Sequence, residues 1–565
     1  MRQISIFGKP LHTVIAIVTL SILCFSCKSR HRETNFSDYF TTSKFDEDDF
    51  AEALYASYKG KEIDSAKWDK KKTHSTGEIL HYTYHYSEYL PLWVGETGGT
   101  DPAEKLIKEL EGMQADGINP ELYKMSALKK QLAAFKKESE PDLNAIIALD
   151  TACTIAYIEA SHDLLLGVVD PKKADNQWFH TNDTAWRPET PLLVQLNDLG
   201  KYPELKQFRS TVPTYGLLMK AREHYITLAK DAQFKNVKTV VATNPADSVI
   251  RIIVAKELQQ DLSNVVADSG KSPAVLAYQQ YYGIIPTGKL DTSTKRALTR
   301  QPEEIVSLID ANLERLRWMP KDMASQYIIV NVPQMELFLR RGGRDVMHMN
   351  VVVGKPARET PSLNSDMEHV VFNPPWGVPP TILKQDVLPG IERAGEAYLA
   401  KKDLEVFDLK GRRVDASMVN ASNYKSFVFR QPPGDDNALG YVKFNMPNRW
   451  NIYLHDTPHR EDFDKPYRAK SSGCIRLQQP QEMAEYILTQ IEKRDFDQSK
   501  ISGIISTQTT KYEKLKTKLP VHIVYLTAFE DMSNKRIRFS QDIYKRDDKL
   551  VDMLKSKEER LYAKK

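Results

Sequence analysis

Ile452-Tyr453-Leu454-His455-Asp456, followed by Ser471-Ser472-Gly473-Cys474-Ile475-Arg476, is the stretch on which this chain turns. The first piece alternates apolar and polar side chains, as a strand with one buried face does. If Ile452 and Leu454 enter a core, then Asn451, Tyr453 and His455 share the opposite face and Asp456 turns away. The second piece is a turn of small residues. Ser471, Ser472 and Gly473 keep the backbone slim enough for close approach, and the Gly473 and Cys474 amides are then available as oxyanion donors. An ordinary thiol, with a pKa of about 8.5, is only a few per cent thiolate at neutral pH. A neighbouring imidazole raises that fraction and later hands the proton to a leaving amine. Arg476 adds positive charge that favours a thiolate or a substrate carboxylate. Two other readings of these residues stay open at this level. One is a buried structural cysteine with an unrelated histidine; the other is a zinc site built from His455, His459 and Cys474, although their spacing lacks the tight pairs usual for zinc.

Outward from this stretch, the hydrophobic period is two. Segments 327–333, 335–341, 346–354, 370–373, 441–445, 451–455 and 521–526 are predicted as strands, rich in β-branched and aromatic residues. Residues 388–429 interrupt them with helix-like and hairpin-like pieces, as an insertion projecting from the sheet. A helix over 482–491 follows the Cys474 turn. Before Trp318-Met319-Pro320 the period is helical, with predicted helices over 103–113, 126–135, 145–166 and 215–232. Cys153 lies on the apolar 145–166 pattern and is expected to be a small buried hydrophobe. His162 and Asp163, on the same pattern, are expected to be structural. Residues 244–300 contain a helix ending at Gly283, a Pro286-Thr287-Gly288 turn and a Ser/Thr-started helix, a compact helical module.

At 565 residues the chain is expected to form two to four domains, 41% of it hydrophobic and 27% charged. The net charge of +4 is small and its basic residues are interleaved with acidic ones, so nothing favours nucleic acid as a partner. Arg2 and Lys9 precede an apolar run, 11–25, that Ser26-Cys27 closes. That is the pattern of an export signal, and the run is shorter than the roughly 20 residues of a membrane span. Cys27, behind a small residue, is the candidate lipidation site, a better one than Cys24 behind Leu23. Two interior cysteines do not make a disulfide framework, so an exported chain that keeps Cys474 free has a use for its thiol.

The segment from His455 to Arg476 resembles the signature of L,D-transpeptidases with a YkuD-type catalytic domain. Flanking motifs resemble it too: Val351-Val352-Val353-Gly354-Lys355-Pro356, Asn373-Pro374-Pro375-Trp376 and Lys443-Phe444-Asn445-Met446-Pro447-Asn448. The order of parts is similar to that of large murein L,D-transpeptidases of the YcbB type. Many smaller members have histidine where this chain has Ser472; the YcbB-type group shares its Ser-Ser-Gly-Cys.

The resemblance implies an α+β multidomain fold. After the signal peptide over 1–27 and a polar, aliphatic-poor tether over 28–50, both read from composition, its parts would begin with a helical scaffold domain over 51–240. A small helical peptidoglycan-binding-like module over 244–300 and a β-rich YkuD-type catalytic domain over 317–530 follow, the latter with an inserted capping subdomain at 388–429. A charged tail would close the chain over 531–565. The implied activity is 3→3 crosslinking of peptidoglycan stem peptides through a thioester on Cys474, with His455 as general acid and base. Gly473, Tyr453, Arg476 and Ser472 would shape the site and its oxyanion hole, and Trp376 and Asn445 would line the pocket. A backbone carbonyl rather than a side chain is expected to orient His455. No cofactor and no metal is implied. Carbapenem-type inhibitors are expected to acylate Cys474, and the protein is expected on the periplasmic side of the envelope, lipid-anchored to the outer membrane. Alternatives are a non-catalytic peptidoglycan-binding lipoprotein, a protein-to-murein ligase and an L,D-carboxypeptidase.

Overall fold

A computed structural model describes residues 43–61, 63–64, 68, 74–182, 184–266, 270–531 and 536–563. Cys27 and the expected signal peptide lie outside these residues. The first described helix, Glu47–Tyr58, starts inside the segment expected to be a tether. Asp46 caps it by accepting the Asp48 and Asp49 N–H groups, and Phe50 is fully buried.

The helical part is built on Leu143–Leu166, which is long and apolar enough to cross a membrane but is half enclosed by protein here. Its buried Asp150 shows how it is used. The carboxylate accepts the N–H groups of Leu92, Trp93 and Val94 and the Tyr84 hydroxyl, so one side chain satisfies a whole turn of buried backbone. His162 bonds Asp163, which also accepts the Tyr123 hydroxyl, a structural pairing. The helices Asp247–Glu257, Pro273–Tyr281 and Thr292–Thr299 occupy the segment expected to be a separate module, and their apolar residues run into the same core as the scaffold. A buried ion pair, Lys238 to Glu257 at 2.6 Å, crosses the expected boundary, and the Tyr282 hydroxyl completes it.

The β-rich part has strands β1 (Gln326–Asn331), β2 (Glu336–Arg341), β3 (Arg344–Gly354), β4 (Leu363–Phe372), β5 (Trp376–Gly377), β6 (Glu405–Asp408), β7 (Arg413–Val414), β8 (Phe427–Gln431), β9 (Val442–Asn445), β10 (Leu454–His455), β11 (Ala469–Ser471), β12 (Ile475–Leu477), β13 (Lys511–Val524), β14 (Ala528–Asp531) and β15 (Arg536–Phe539). Nine form one sheet in the order β11-β3-β12-β10-β9-β4-β13-β1-β2, and β2 also pairs with β3, so the sheet curls back on itself. Its inner face carries a separate apolar core that includes Val351, Phe444, Leu454 and Ile475.

The insertion is wider than 388–429. A second sheet, β5-β8-β6-β7, spans Trp376 to Gln431 and closes around its own core of Val387, Ile391, Leu399, Val406 and Phe429. The C-terminal segment is not a free tail either. β14 and β15 form a hairpin whose Phe539 stacks on Tyr282, and the helix Asp547–Ala563 starts with Asp547 bonded to buried Arg315 at 2.5 Å. Apolar Ile537, Phe539 and Leu550 are buried, and they outweigh the segment's high charge.

Candidate active site

Three strands place the candidate residues. β10 pairs antiparallel with β9 so that His455 lies opposite Lys443, and parallel with β12 so that His455 lies opposite Arg476. Leu454 and its partners Phe444 and Ile475 point into the core, so alternation puts the other set on the outer face. That face carries Lys443, His455 and Arg476. One register step further along, it also carries Asn445, Tyr453 and Cys474. Strand β10 is shorter than the predicted 451–455, because Asn451 has a left-handed φ of 53° and breaks the extended run.

The His455 imidazole is buried. Its Nδ1 lies 2.5 Å from the Asp456 carbonyl oxygen. A carbonyl can only accept, so Nδ1 carries the hydrogen and Nε2 keeps its lone pair. Burial, with help from Arg476 and Lys443, holds the His455 pKa down at about 3, so the ring is neutral at physiological pH. The Asp456 carboxylate is used elsewhere: it accepts the Tyr441 N–H at 2.9 Å and the Thr457 N–H at 2.6 Å and pairs with Arg460.

Cys474 is half-buried. Its thiol donates weakly to the Asn451 carbonyl at 3.7 Å. Burial pushes its pKa up, against the pull of the Tyr453 N–H and hydroxyl, then of Lys443 and Arg476. The Tyr453 ring stands 5.5 Å edge-on from His455. Lys443 sits over the Tyr453 ring at 4.0 Å. Arg476 is steadied by Asp462 at 3.4 Å, a carboxylate that Lys465 and Lys470 also hold.

The Cys474 turn is braced from within. Ser471 Oγ donates to the Cys474 carbonyl at 2.6 Å and accepts the Gly473 N–H at 3.1 Å. The expected Gly473 donor is therefore engaged, and the Cys474 amide is left as the turn's candidate oxyanion donor. Gly473 has φ of 116°, a backbone conformation that side-chain-bearing residues rarely adopt. Ser472 is exposed and accepts from Arg358 at 2.8 Å. Arg358 in turn grips Asp386 of the insertion through two bonds of 2.6 and 2.7 Å. The serine at this position thus ties the turn to the insertion.

Trp376 enters from β5, the root of the insertion, and Asn445 lies on β9 beside Tyr453. His459 stands apart, its ring exposed beside Glu461, and no three His, Cys, Asp or Glu side chains gather as metal ligands among the described residues. Lys443 and Arg358 escaped sequence reasoning as individual site residues. Lys443 alone carried a signal, its place in a motif two residues before Asn445.

Residues 325–522 match the family model of YkuD, described as L,D-transpeptidase catalytic domain, and residues 78–221 match one described as Scaffold domain. The β-rich third thus matches a YkuD-type catalytic domain, and the helical part before it matches a scaffold domain. A Haemophilus influenzae protein named "Putative L,D-transpeptidase" is 32% identical over 249 residues, which is 44% of this chain and 49% of that one. The chain therefore spans about half the length of that relative. Two solved structures also align. The ertapenem-acylated catalytic domain of the E. faecium L,D-transpeptidase is 11% identical with a TM-score of 0.18, over 36% of this chain and 99% of that one. An L,D-transpeptidase from Mycobacterium smegmatis is 13% identical with a TM-score of 0.18, over 36% and 59%.

Proposed function

We propose that this protein is a peptidoglycan L,D-transpeptidase of the YcbB type that forms 3→3 crosslinks through a thioester on Cys474. One observation carries the reading: Cys474, His455, Tyr453, Lys443 and Arg476 share one outer sheet face, with the His455 Nε2 lone pair free of its Nδ1 bond to Asp456.

In the first half-reaction the Cys474 proton passes to Nε2 as the sulfur attacks the carbonyl of the third stem residue. Resting thiol and neutral imidazole match this order, since the thiol pKa is raised and the histidine pKa is about 3. The negative charge moves to the carbonyl oxygen, where the Cys474 N–H and the Tyr453 hydroxyl receive it. Collapse breaks the C–N bond, and D-alanine leaves with the proton from His455. In the second half an acceptor amine attacks the thioester, His455 takes its proton, and the thiol is restored. Water in place of the amine gives an L,D-carboxypeptidase, and a protein amine gives a ligase. A non-catalytic tether has no use for a thiol set among these donors and cations.

The insertion, latched by Arg358 and contributing Trp376, would cap the bound stem, and the 244–300 module would hold peptidoglycan. Lipidation at Cys27 would place the enzyme on the periplasmic face of the outer membrane. The direct test of the thiol is incubation with a carbapenem followed by intact-mass measurement. One adduct, lost in Cys474→Ala, is expected; an adduct that survives this substitution contradicts the assignment.

A further inference from the structure

Thr360 lies between β3 and β4, is fully buried, and has no part in the reaction as described above. Its hydroxyl accepts the Gly354 N–H at 2.8 Å, so its own hydrogen is directed to the Gly473 carbonyl, 2.7 Å away. Its N–H donates to the Tyr544 hydroxyl at 3.1 Å, and Tyr544 donates to the Gly354 carbonyl at 2.5 Å. Three distant segments thus close a buried ring behind the nucleophile turn. The fit is tight: a Cβ on Gly354 would meet the Arg358 carbonyl oxygen at 2.2 Å and the Thr360 nitrogen at 2.7 Å.

The Gly473–Cys474 peptide is trans, so its carbonyl and N–H point in opposite directions. Fastening the carbonyl to Thr360 in the core turns the Cys474 N–H outward. Ser471 holds the preceding N–H and the following carbonyl, so Thr360 supplies the remaining constraint on this turn. We infer that Thr360 is a positioning residue that aims the Cys474 N–H at the developing oxyanion, with Tyr544 of the C-terminal segment holding Thr360 in place. This rests on the reading of Cys474 as the acylated nucleophile.

Two rates separate this role from a merely structural one. Acylation by a carbapenem builds an oxyanion, whereas alkylation of Cys474 by iodoacetamide needs thiolate but no oxyanion. Both are measured on the wild type, Thr360→Val, Thr360→Ser and Cys474→Ala. Thr360→Val is expected to slow acylation about 10²-fold, in the range found for losing an oxyanion donor, and to leave alkylation unchanged; Thr360→Ser restores acylation. Acylation at the wild-type rate in Thr360→Val overturns the inference, as does an equal loss in both rates. A wild type that is alkylated at Cys474 but never acylated overturns the transpeptidase reading and the inference with it. Should Thr360→Val fail to fold, Tyr544→Phe keeps the ring and removes the hydroxyl. Its acylation is expected to fall several-fold with alkylation unchanged, and wild-type rates for both overturn the proposal.

Discussion

The two interior cysteines of this chain face the same physical penalty and meet different neighbours. Cys153 is fully buried in the helix Leu143–Leu166, where burial and the nearby Asp150 charge both push its pKa far up. Cys474 is also pushed up by burial, but neighbouring Tyr453 pulls its pKa back down, as does the positive charge of Lys443 and Arg476. Burial alone makes a thiol inert. Burial beside donors and cations holds it neutral at rest and stabilises it once the sulfur takes on charge.

The largest break in this comparison comes from removing the reactive sulfur. Cys474→Ala should cost on the order of 10³-fold or more in acyl transfer, by analogy with other lost nucleophiles, and should abolish the carbapenem adduct seen by mass spectrometry. His455→Ala comes next, with acylation near neutral pH falling by about 10²–10⁴-fold, the usual contribution of a general base. Because the histidine pKa is about 3, the wild-type rate should stay flat from about pH 5 to 8, without an imidazole limb near the ordinary value of about 6.5. The His455→Ala rate should instead climb about tenfold per pH unit as thiolate accumulates, still rising near pH 9 because burial raises the thiol pKa. Stopped-flow acylation across this range checks both profiles.

Lys443→Met sharpens the comparison further. It removes a cation beside the sulfur that lowers the thiol pKa, and should slow both acylation and alkylation by about tenfold. Alkylation against pH, read at Cys474, shows whether its midpoint moves up. The smallest effect is at the other cysteine. Cys153→Ala should leave acylation unchanged and lower stability by about 1 kcal/mol, as a typical core truncation does, visible in a denaturant melt.

The part of the site legible in the sequence is the part that is local. The alternation of Ile452, Tyr453, Leu454 and His455 reports which face is buried, and the small residues before Cys474 report a turn. Lys443 could be quoted within its motif, but its place opposite His455 depends on the pairing of β9 with β10, which no local pattern encodes. Thr360 and Arg358 reach the turn from far along the chain, and Tyr544 reaches Thr360, through bonds that leave no periodic trace. The engagement of the Gly473 N–H by Ser471 was within reach of sequence reasoning, since a serine two residues earlier is a common local acceptor. In the fold, the root of the insertion was missed because β5 is only two residues long, too short to show alternation. The C-terminal segment reads as a tail in sequence because its lysines and acidic residues surround widely spaced apolar anchors such as Phe539, Tyr544 and Leu550.

The most direct measurement is intact-mass and product analysis after mixing the protein, or its Cys474→Ala form, with purified tetrapeptide muropeptides. A transient adduct on the wild type, with D-alanine release and 3→3 crosslinked dimer in solution, is the expected result. An adduct that decays only to tripeptide would make the enzyme a hydrolase, and crosslinked dimer formed equally well by Cys474→Ala would contradict the thiol mechanism outright.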